Sequence, residues 1–340
     1  MKAFNILKSR FFSHSPFVLL HIITYRCNCK CKICSRWRKL SDKKNELSVE
    51  ETFKMLEDAK EAGMTNYVVE GGEPLLIEDI PKILEYAKKL DFDTAIVTNG
   101  FYLKDRYKEI MPFTDSIIVS IDSHDKLHDE MRGANGILDR AVEGIRLCKN
   151  YKINVTINCV LCKLNLKKIK GLANFSEELQ IPIVIQPLDI YKGYNEHLRP
   201  IQSELQKTFS KIKKLKQSGY KIRNSYHYLE HIIENKNYVC HYPKCYVYLM
   251  PNGNIVSCCG IIDKIWGNIK TTSFNEIFKS KEFRELCKKT EGCNECNSNL
   301  VIETSLLYSL NPKYFINFNN LIRQINPNWG FKISDSNFIK

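Results

Sequence analysis

Between residues 17 and 188 the chain alternates short β-rich runs with helical stretches, and this alternation constrains the fold more than any other feature. The runs expected as strands are Val18–Thr24, Asn66–Glu70, Asp93–Thr98, Ser116–Ile121, Asn154–Leu161 and Ile183–Leu188. Helical periodicity fills the gaps at 48–62, 79–90, 102–111, 138–150 and 165–179. Ser48 followed three residues later by Glu51 predicts a capping box for the first helix. Strands separated by helices pair in parallel through right-handed crossovers. The unit is too short for eight repeats, which leaves a partial barrel or an open α/β sheet. In either case ligands gather at the C-terminal ends of the strands.

The ends of these strands carry unusual residues. Directly after the first strand, Arg26-Cys-Asn-Cys-Lys-Cys-Lys-Ile-Cys-Ser35 places four cysteines within eight positions. The second strand runs into Glu70-Gly-Gly-Glu-Pro74, the third into Val97-Thr-Asn-Gly100, and the fourth into Val119-Ser-Ile-Asp122. Of the 14 cysteines, seven more lie between 240 and 296. Such clustering, in a chain read as cytoplasmic because no signal peptide is legible, favours metal or iron–sulfur ligation over disulfides. Cys148, Cys159 and Cys162 lie in apolar segments and read as small buried hydrophobes. Structural zinc sites usually draw their ligands from two separated knuckles. One compact loop at a strand's C-terminal end is a different arrangement. Three of its thiolates could hold three irons of a [4Fe–4S] cube and leave the fourth iron open.

The spacing Cys27-x3-Cys31-x2-Cys34 and the Gly-Gly-Glu-Pro motif together resemble the radical S-adenosylmethionine (SAM) superfamily. The resemblance covers residues 20–190. It implies a partial (β/α)6 TIM-type barrel with a [4Fe–4S] cluster on Cys27, Cys31 and Cys34, and leaves Cys29 spare. Ile33 stands where family members often carry an aromatic residue. The methionine end of SAM is then expected beside Gly71, Gly72, Glu73 and Pro74, with the ribose near Asn99. Similarity to anaerobic sulfatase-maturating enzymes implies that Ser120, and Arg132 twelve residues later, contact the SAM carboxylate. A planar guanidinium suits that carboxylate through paired, charge-assisted bonds. His124 and His128 read as polar rim residues, and no catalytic acid or base is identified.

Beyond residue 195 the pattern changes. Residues 196–239 read as a connector with one helix at 201–217. Tyr246–Met250 and Asn254–Cys258 read as a hairpin turned by Asn252-Gly253, and a helix is expected at 273–288. Cys240, then Gly253, then Cys258, followed by Cys293-x2-Cys296, resembles the SPASM and twitch extensions of radical SAM enzymes. This implies a small α+β extension holding a second, auxiliary [4Fe–4S] cluster on Cys240, Cys258, Cys293 and Cys296. The full SPASM pattern needs further cysteines after Cys296, and none follows, so one auxiliary cluster is expected. Cys245, Cys259 and Cys287 are alternates, and a zinc knuckle on the same four positions stays open.

The expected domains are a basic segment at 1–16, the barrel at 17–195, the connector at 196–239, the auxiliary region at 240–300 and a tail at 301–340. The formal net charge of +13 is spread along the chain without a nucleic-acid motif, so no nucleic-acid partner is expected. Residues 1–12 and 306–333 mix basic and apolar residues, which leaves room for peripheral membrane contact. The implied activity is reductive cleavage of SAM and hydrogen abstraction by the 5′-deoxyadenosyl radical. The substrate would be a peptide, cofactor precursor, carbohydrate or lipid, and a ferredoxin or flavodoxin would donate the electron. A non-catalytic iron–sulfur electron carrier or a zinc-stabilised binding module are the rival classes.

Overall fold

The structure is a computed structural model that describes residues 9, 15–39, 45–151, 153–190, 193–256, 264–294 and 296–309. The six expected strands all form. They are β1 (Val18–Thr24), β2 (Asn66–Gly71), β3 (Asp93–Thr98), β4 (Ser116–Ser120), β5 (Asn154–Leu161) and β6 (Ile183–Pro187). All five neighbouring pairs are parallel. The helices between them are α1 (Val49–Glu61), α2 (Ile80–Lys89), α3 (Leu103–Ile110), α4 (Leu127–Arg132), α5 (Ile137–Lys149) and α6 (Ile169–Glu178). The capping box on α1 is present: Glu51 N donates to Ser48 Oγ at 3.1 Å, and Ser48 N donates to Glu51 Oε2 at 2.9 Å.

Burial alternates along the strands and separates two faces. Ile117, Val119, Ile157, Ile96 and Tyr67 are sealed in the core against the helices. Ile118, Ser120, Asn158, Val68 and Glu70 are half-buried on the other, concave face. A parallel sheet curved into a partial barrel gives this pattern, with the concave side available to a ligand.

The sheet does not close on itself, and it does not stop at β1. β7 (Tyr246–Leu249) pairs with β1 in parallel, aligning Val18 with Tyr246 and Leu20 with Tyr248. β8 (Asn254–Val256) and β9 (Ile265–Asn268) follow as antiparallel strands. The result is one nine-stranded sheet in the order β6-β5-β4-β3-β2-β1-β7-β8-β9. The Asn252-Gly253 turn forms as the sequence suggests. Gly253 has φ +85°, and its N–H bonds Met250 O at 3.0 Å.

Elsewhere the chain departs from the sequence reading. The connector contains two helices, α7 (Gln202–Gln217) and α8 (Tyr226–Glu234). The helix expected at 273–288 is split into α9 (Phe274–Lys279) and α10 (Lys281–Thr290). Ser280 divides them: its backbone is extended, and its Oγ caps α10 by accepting from Phe283 N at 3.1 Å. A further helix, α11 (Asn299–Tyr308), packs against β6, where Asn299 N donates to Gln186 Oε1 at 3.2 Å. The two amphipathic terminal segments fall largely outside the described residues. Among the described residues no helix is long and apolar enough to cross a membrane.

Candidate active site

The cysteine loop leaves β1 and is pinned from four directions. Gly72 N donates to Thr24 O at 2.7 Å and Glu73 N to Arg26 O at 2.9 Å, which draws the end of β2 onto the loop's first residues. A Cβ on Gly71 would sit 2.4 Å from Thr24 O, and one on Gly72 would sit 2.1 Å from Arg26 O. The two glycines therefore admit the backbone of the cysteine loop itself. From α4, Arg132 O and Met131 O accept from Lys30 N and Lys32 N at 3.1 and 2.8 Å. Trp37 Nε1 and Tyr194 Oη both donate to Cys31 O, at 3.1 and 3.0 Å, and Asn195 Nδ2 donates to Ile33 O at 3.0 Å. Asn99 Nδ2 donates to Asn28 Oδ1 at 2.8 Å and lies 3.9 Å from Cys27 Sγ.

Within the loop the thiols are not equivalent. The Cys29 thiol, fully buried, donates to both Cys27 and Cys31, which pushes its own pKa up. The same bonds pull Cys27 below the ordinary thiol value and bring Cys31 down to about 7. Burial raises Cys34, with Arg36 opposing it.

Glu73 has no exposed surface. Its Oε1 accepts from Thr98 Oγ1 at 2.7 Å and Leu75 N at 3.0 Å, and its Oε2 accepts from Asn99 N at 2.8 Å. Burial still holds its pKa above the usual carboxylate value. Three of roughly four acceptor positions are taken, so Glu73 braces β2 against β3 and keeps about one lone pair for a ligand. Pro74 opens the short helical turn Pro74–Leu76 behind it.

Ser120 ends β4 opposite Asn158, half-buried on the concave face. Arg132 is buried and pairs with Asp122, Nη2 to Oδ2 at 2.7 Å, while its guanidinium also reaches the Cys31 sulfur. Its Nε has no partner. Asp122 is a hub that the sequence reading quoted without giving it a role. Its Oδ1 accepts from Val160 N at 3.0 Å, and its N donates to His128 Nδ1 at 3.1 Å. His128 is therefore not a rim residue. It is fully buried in α4, accepts through Nδ1, and its pKa is lowered by burial and by Arg132. His124 packs its ring against Gly171, where a Cβ would come within 2.2 Å of it.

The mouth holds further charged groups that the sequence did not single out. Arg36, two residues past Cys34, pairs with Glu70, Nη2 to Oε1 at 3.1 Å, and donates from Nη1 to Gly71 O at 3.3 Å. Asp189, just past β6, keeps solvent access over part of its surface, and burial of its carboxyl raises it to about 6, with Arg36 opposing. Their only signal in sequence was position, next to a strand end or the cysteine loop.

The second cysteine group is partly assembled. Burial pushes Cys240 up to about 11, and Cys296 and Cys293 lie close enough to add to the shift. Tyr238 Oη lies 3.3 Å from Cys296 Sγ. Cys245 is buried at the start of β7 and neighbours Cys240 and Cys287. Cys258 and Cys259 lie outside the described residues. Among the described residues no three His, Cys, Asp or Glu side chains converge on a single metal-sized point. A cube needs no such point, because each thiolate caps a separate iron. Cys27, Cys31 and Cys34, two of them thiolate-leaning or close to it and all on one pinned loop, fit that donor set.

A thiol-rich loop at the C-terminal end of a partial barrel, with a second thiol group beyond it in the chain, is the donor set of an iron–sulfur protein built around a concave site. Residues 21–176 match the radical SAM superfamily, and residues 240–297 match SPASM, described as an iron–sulfur cluster-binding domain. The chain thus carries a radical SAM domain and a SPASM domain, and is an enzyme whose cofactors are a [4Fe–4S] cluster, SAM and auxiliary iron–sulfur ligation. It is 24% identical to Fe-coproporphyrin III synthase of Methanosarcina barkeri (strain Fusaro / DSM 804), over 86% of this chain and 84% of that one. Streptococcus suis SuiB, in its crystal structure with precursor peptide SuiA, superimposes with a TM-score of 0.68 at 19% identity, covering 82% of this chain and 68% of that one. Hexahistidine-tagged anSMEcpe with bound AdoMet superimposes with a TM-score of 0.66 at 20% identity, covering 92% and 99%.

Proposed function

We propose that Cys27, Cys31 and Cys34 hold the SAM-binding [4Fe–4S] cluster and that the substrate reacts on the concave face of the sheet. With both cofactors bound, reductive cleavage of SAM supplies a 5′-deoxyadenosyl radical that removes hydrogen from a substrate. The protein's own part is positional. Gly71 and Gly72 bring the end of β2 against the loop, and Glu73 offers its remaining lone pair to the SAM ammonium group. Arg132 carries the charge for the SAM carboxylate, Ser120 adds a hydroxyl, and Asn99 lies on the ribose side. Cys240, Cys258, Cys293 and Cys296 hold the auxiliary cluster, next to Tyr238.

The observation that carries this reading is the Cys27–Cys34 loop itself. It is fixed by backbone bonds to the Gly-Gly-Glu turn and to α4. The relatives' names point in two directions, a bound precursor peptide for SuiB and an iron porphyrin as the product of the Methanosarcina protein. A low-potential donor such as ferredoxin or flavodoxin supplies the electron. The test is anaerobic reconstitution with iron and sulfide, then reduction in the presence of SAM. Formation of 5′-deoxyadenosine is expected. A stable cluster with intact SAM would instead favour an electron carrier, and zinc in place of iron a binding module.

A further inference from the structure

Deeper in the barrel lies a cation that joins no ion pair among the described residues. Ile222 makes a parallel bridge with Ile183, and Arg223 N donates to Ile183 O at 2.8 Å. Asn224 then bonds both Ile185 N and Ile185 O through its side chain, at 2.9 and 2.8 Å. Residues 222–224 thereby close the open edge of β6 and direct the Arg223 side chain inward. Its Nη1 donates to Thr156 Oγ1, and its Nε is buried with no partner.

Thr156 aligns with Ile118, on the strand face that carries Ser120 and Asn158 two residues further on. The guanidinium therefore sits on the concave side, roughly 6–7 Å below the Ser120–Asn158 row. None of the ion pairs among the described residues includes Arg223. Burial lowers its pKa to about 10, so it remains charged at neutral pH. Arg223 is half-buried, and a guanidinium with a sealed, unpartnered Nε is stabilised when an anion binds it. Thr156, which accepts from Arg223, keeps its own hydroxyl proton to donate to the same anion.

We propose that Arg223, with Thr156, anchors a carboxylate carried by the substrate, inside the barrel beneath the SAM-binding end of the sheet. This names the substrate class of the site above and rests on that reading. A planar, bidentate fork matches a carboxylate.

The experiment uses the reconstituted full chain with SAM bound and succinate as the probe. Arginine side-chain NMR follows the Nε–H resonances, with that of Arg223 assigned by its loss in Arg223→Lys. The Arg223 signal is expected to shift saturably with succinate and not with chloride at equal ionic strength. Succinate affinity, measured by calorimetry, is expected to fall tenfold or more in Arg223→Gln. No saturable shift, or an equal response to chloride, overturns the proposal. Tighter binding of phosphate than of succinate overturns the carboxylate assignment in favour of a phosphate ester. If Arg223→Gln fails to fold, the wild-type titration decides alone. Wild-type formation of 5′-deoxyadenosine, measured on the same preparation, reports separately on the SAM reading beneath the proposal.

Discussion

The Arg132 guanidinium meets the Asp122 carboxylate at 2.7 Å, and the Asp122 side chain has no exposed surface. The residue expected to receive the SAM carboxylate thus already serves a buried carboxylate of the fold. Removing one partner of a buried pair costs about 3–5 kcal/mol. Arg132→Ala should therefore destabilise the apo-protein by about that amount in denaturant unfolding, and adding Asp122→Asn should recover much of it. SAM binding should weaken by roughly 1.5–3 kcal/mol in the single variant. Unchanged stability together with unchanged SAM affinity would remove Arg132 from both roles.

Cys29 is fully buried between Cys27 and Cys31. Cys29→Ala is expected to keep the cluster's visible absorption and SAM cleavage near normal, whereas Ala at Cys27, Cys31 or Cys34 abolishes cleavage. Loss of the cluster in Cys29→Ala would reassign the ligands.

Two cubes correspond to about eight irons per chain. Iron analysis of the reconstituted protein should give that figure, and the Cys27/Cys31/Cys34 triple Ala variant should keep about four. Zinc without iron in the triple variant would identify the Cys240–Cys296 group as a structural knuckle.

Asp189 should titrate with a midpoint near 6, visible in its carboxyl infrared band and absent in Asp189→Asn. The sign follows from its raised value. The folded state holds this proton more tightly than the unfolded chain, so the contribution to stability is full below about pH 4 and is lost as pH rises through about 6. Arg36→Gln should move the midpoint upward, because Arg36 favours the charged form.

His21 works in the opposite direction. Its Nδ1 lies 2.8 Å from Tyr67 Oη inside the core, and burial lowers its pKa to about 3. The unfolded chain takes up the proton first, so stability is full above about pH 6.5 and falls as the pH drops towards 3. The loss from this group should be on the order of 2 kcal/mol by pH 5. His21→Gln should flatten that part of the stability profile. An unaltered slope would assign acid sensitivity to other groups.

The strand pattern was legible because parallel strands buried on one face announce themselves by apolar runs at regular intervals. The candidate site was legible where a local motif carried it, as with Cys27–Cys34 and Gly71–Pro74, which the fold brings together. Asp122, Arg36, Asp189 and Arg223 were not, since each is defined by what lies opposite it across the sheet. His128 was misread for the same reason. A histidine among charged residues suggests a surface, and only the close approach of α4 to the end of β4 buries it. The break at Ser280 was hidden because the apolar spacing runs through it, and a cap interrupts the backbone without interrupting the pattern.

β1 has β2 on one side and β7 on the other, and all seven of its residues are buried. Its second neighbour comes from the far end of the chain. During synthesis β1 waits as an open, apolar edge until Tyr246–Leu249 has been made, a pairing of very high sequence separation and hence slow to form. A chain ended after β6 would carry that edge permanently, and edges of this kind recruit other strands. The barrel portion of this enzyme is therefore not a unit that can be excised and expected to stay soluble. The strand that launches the cysteine loop is completed only by the segment that follows Cys240 and Cys245.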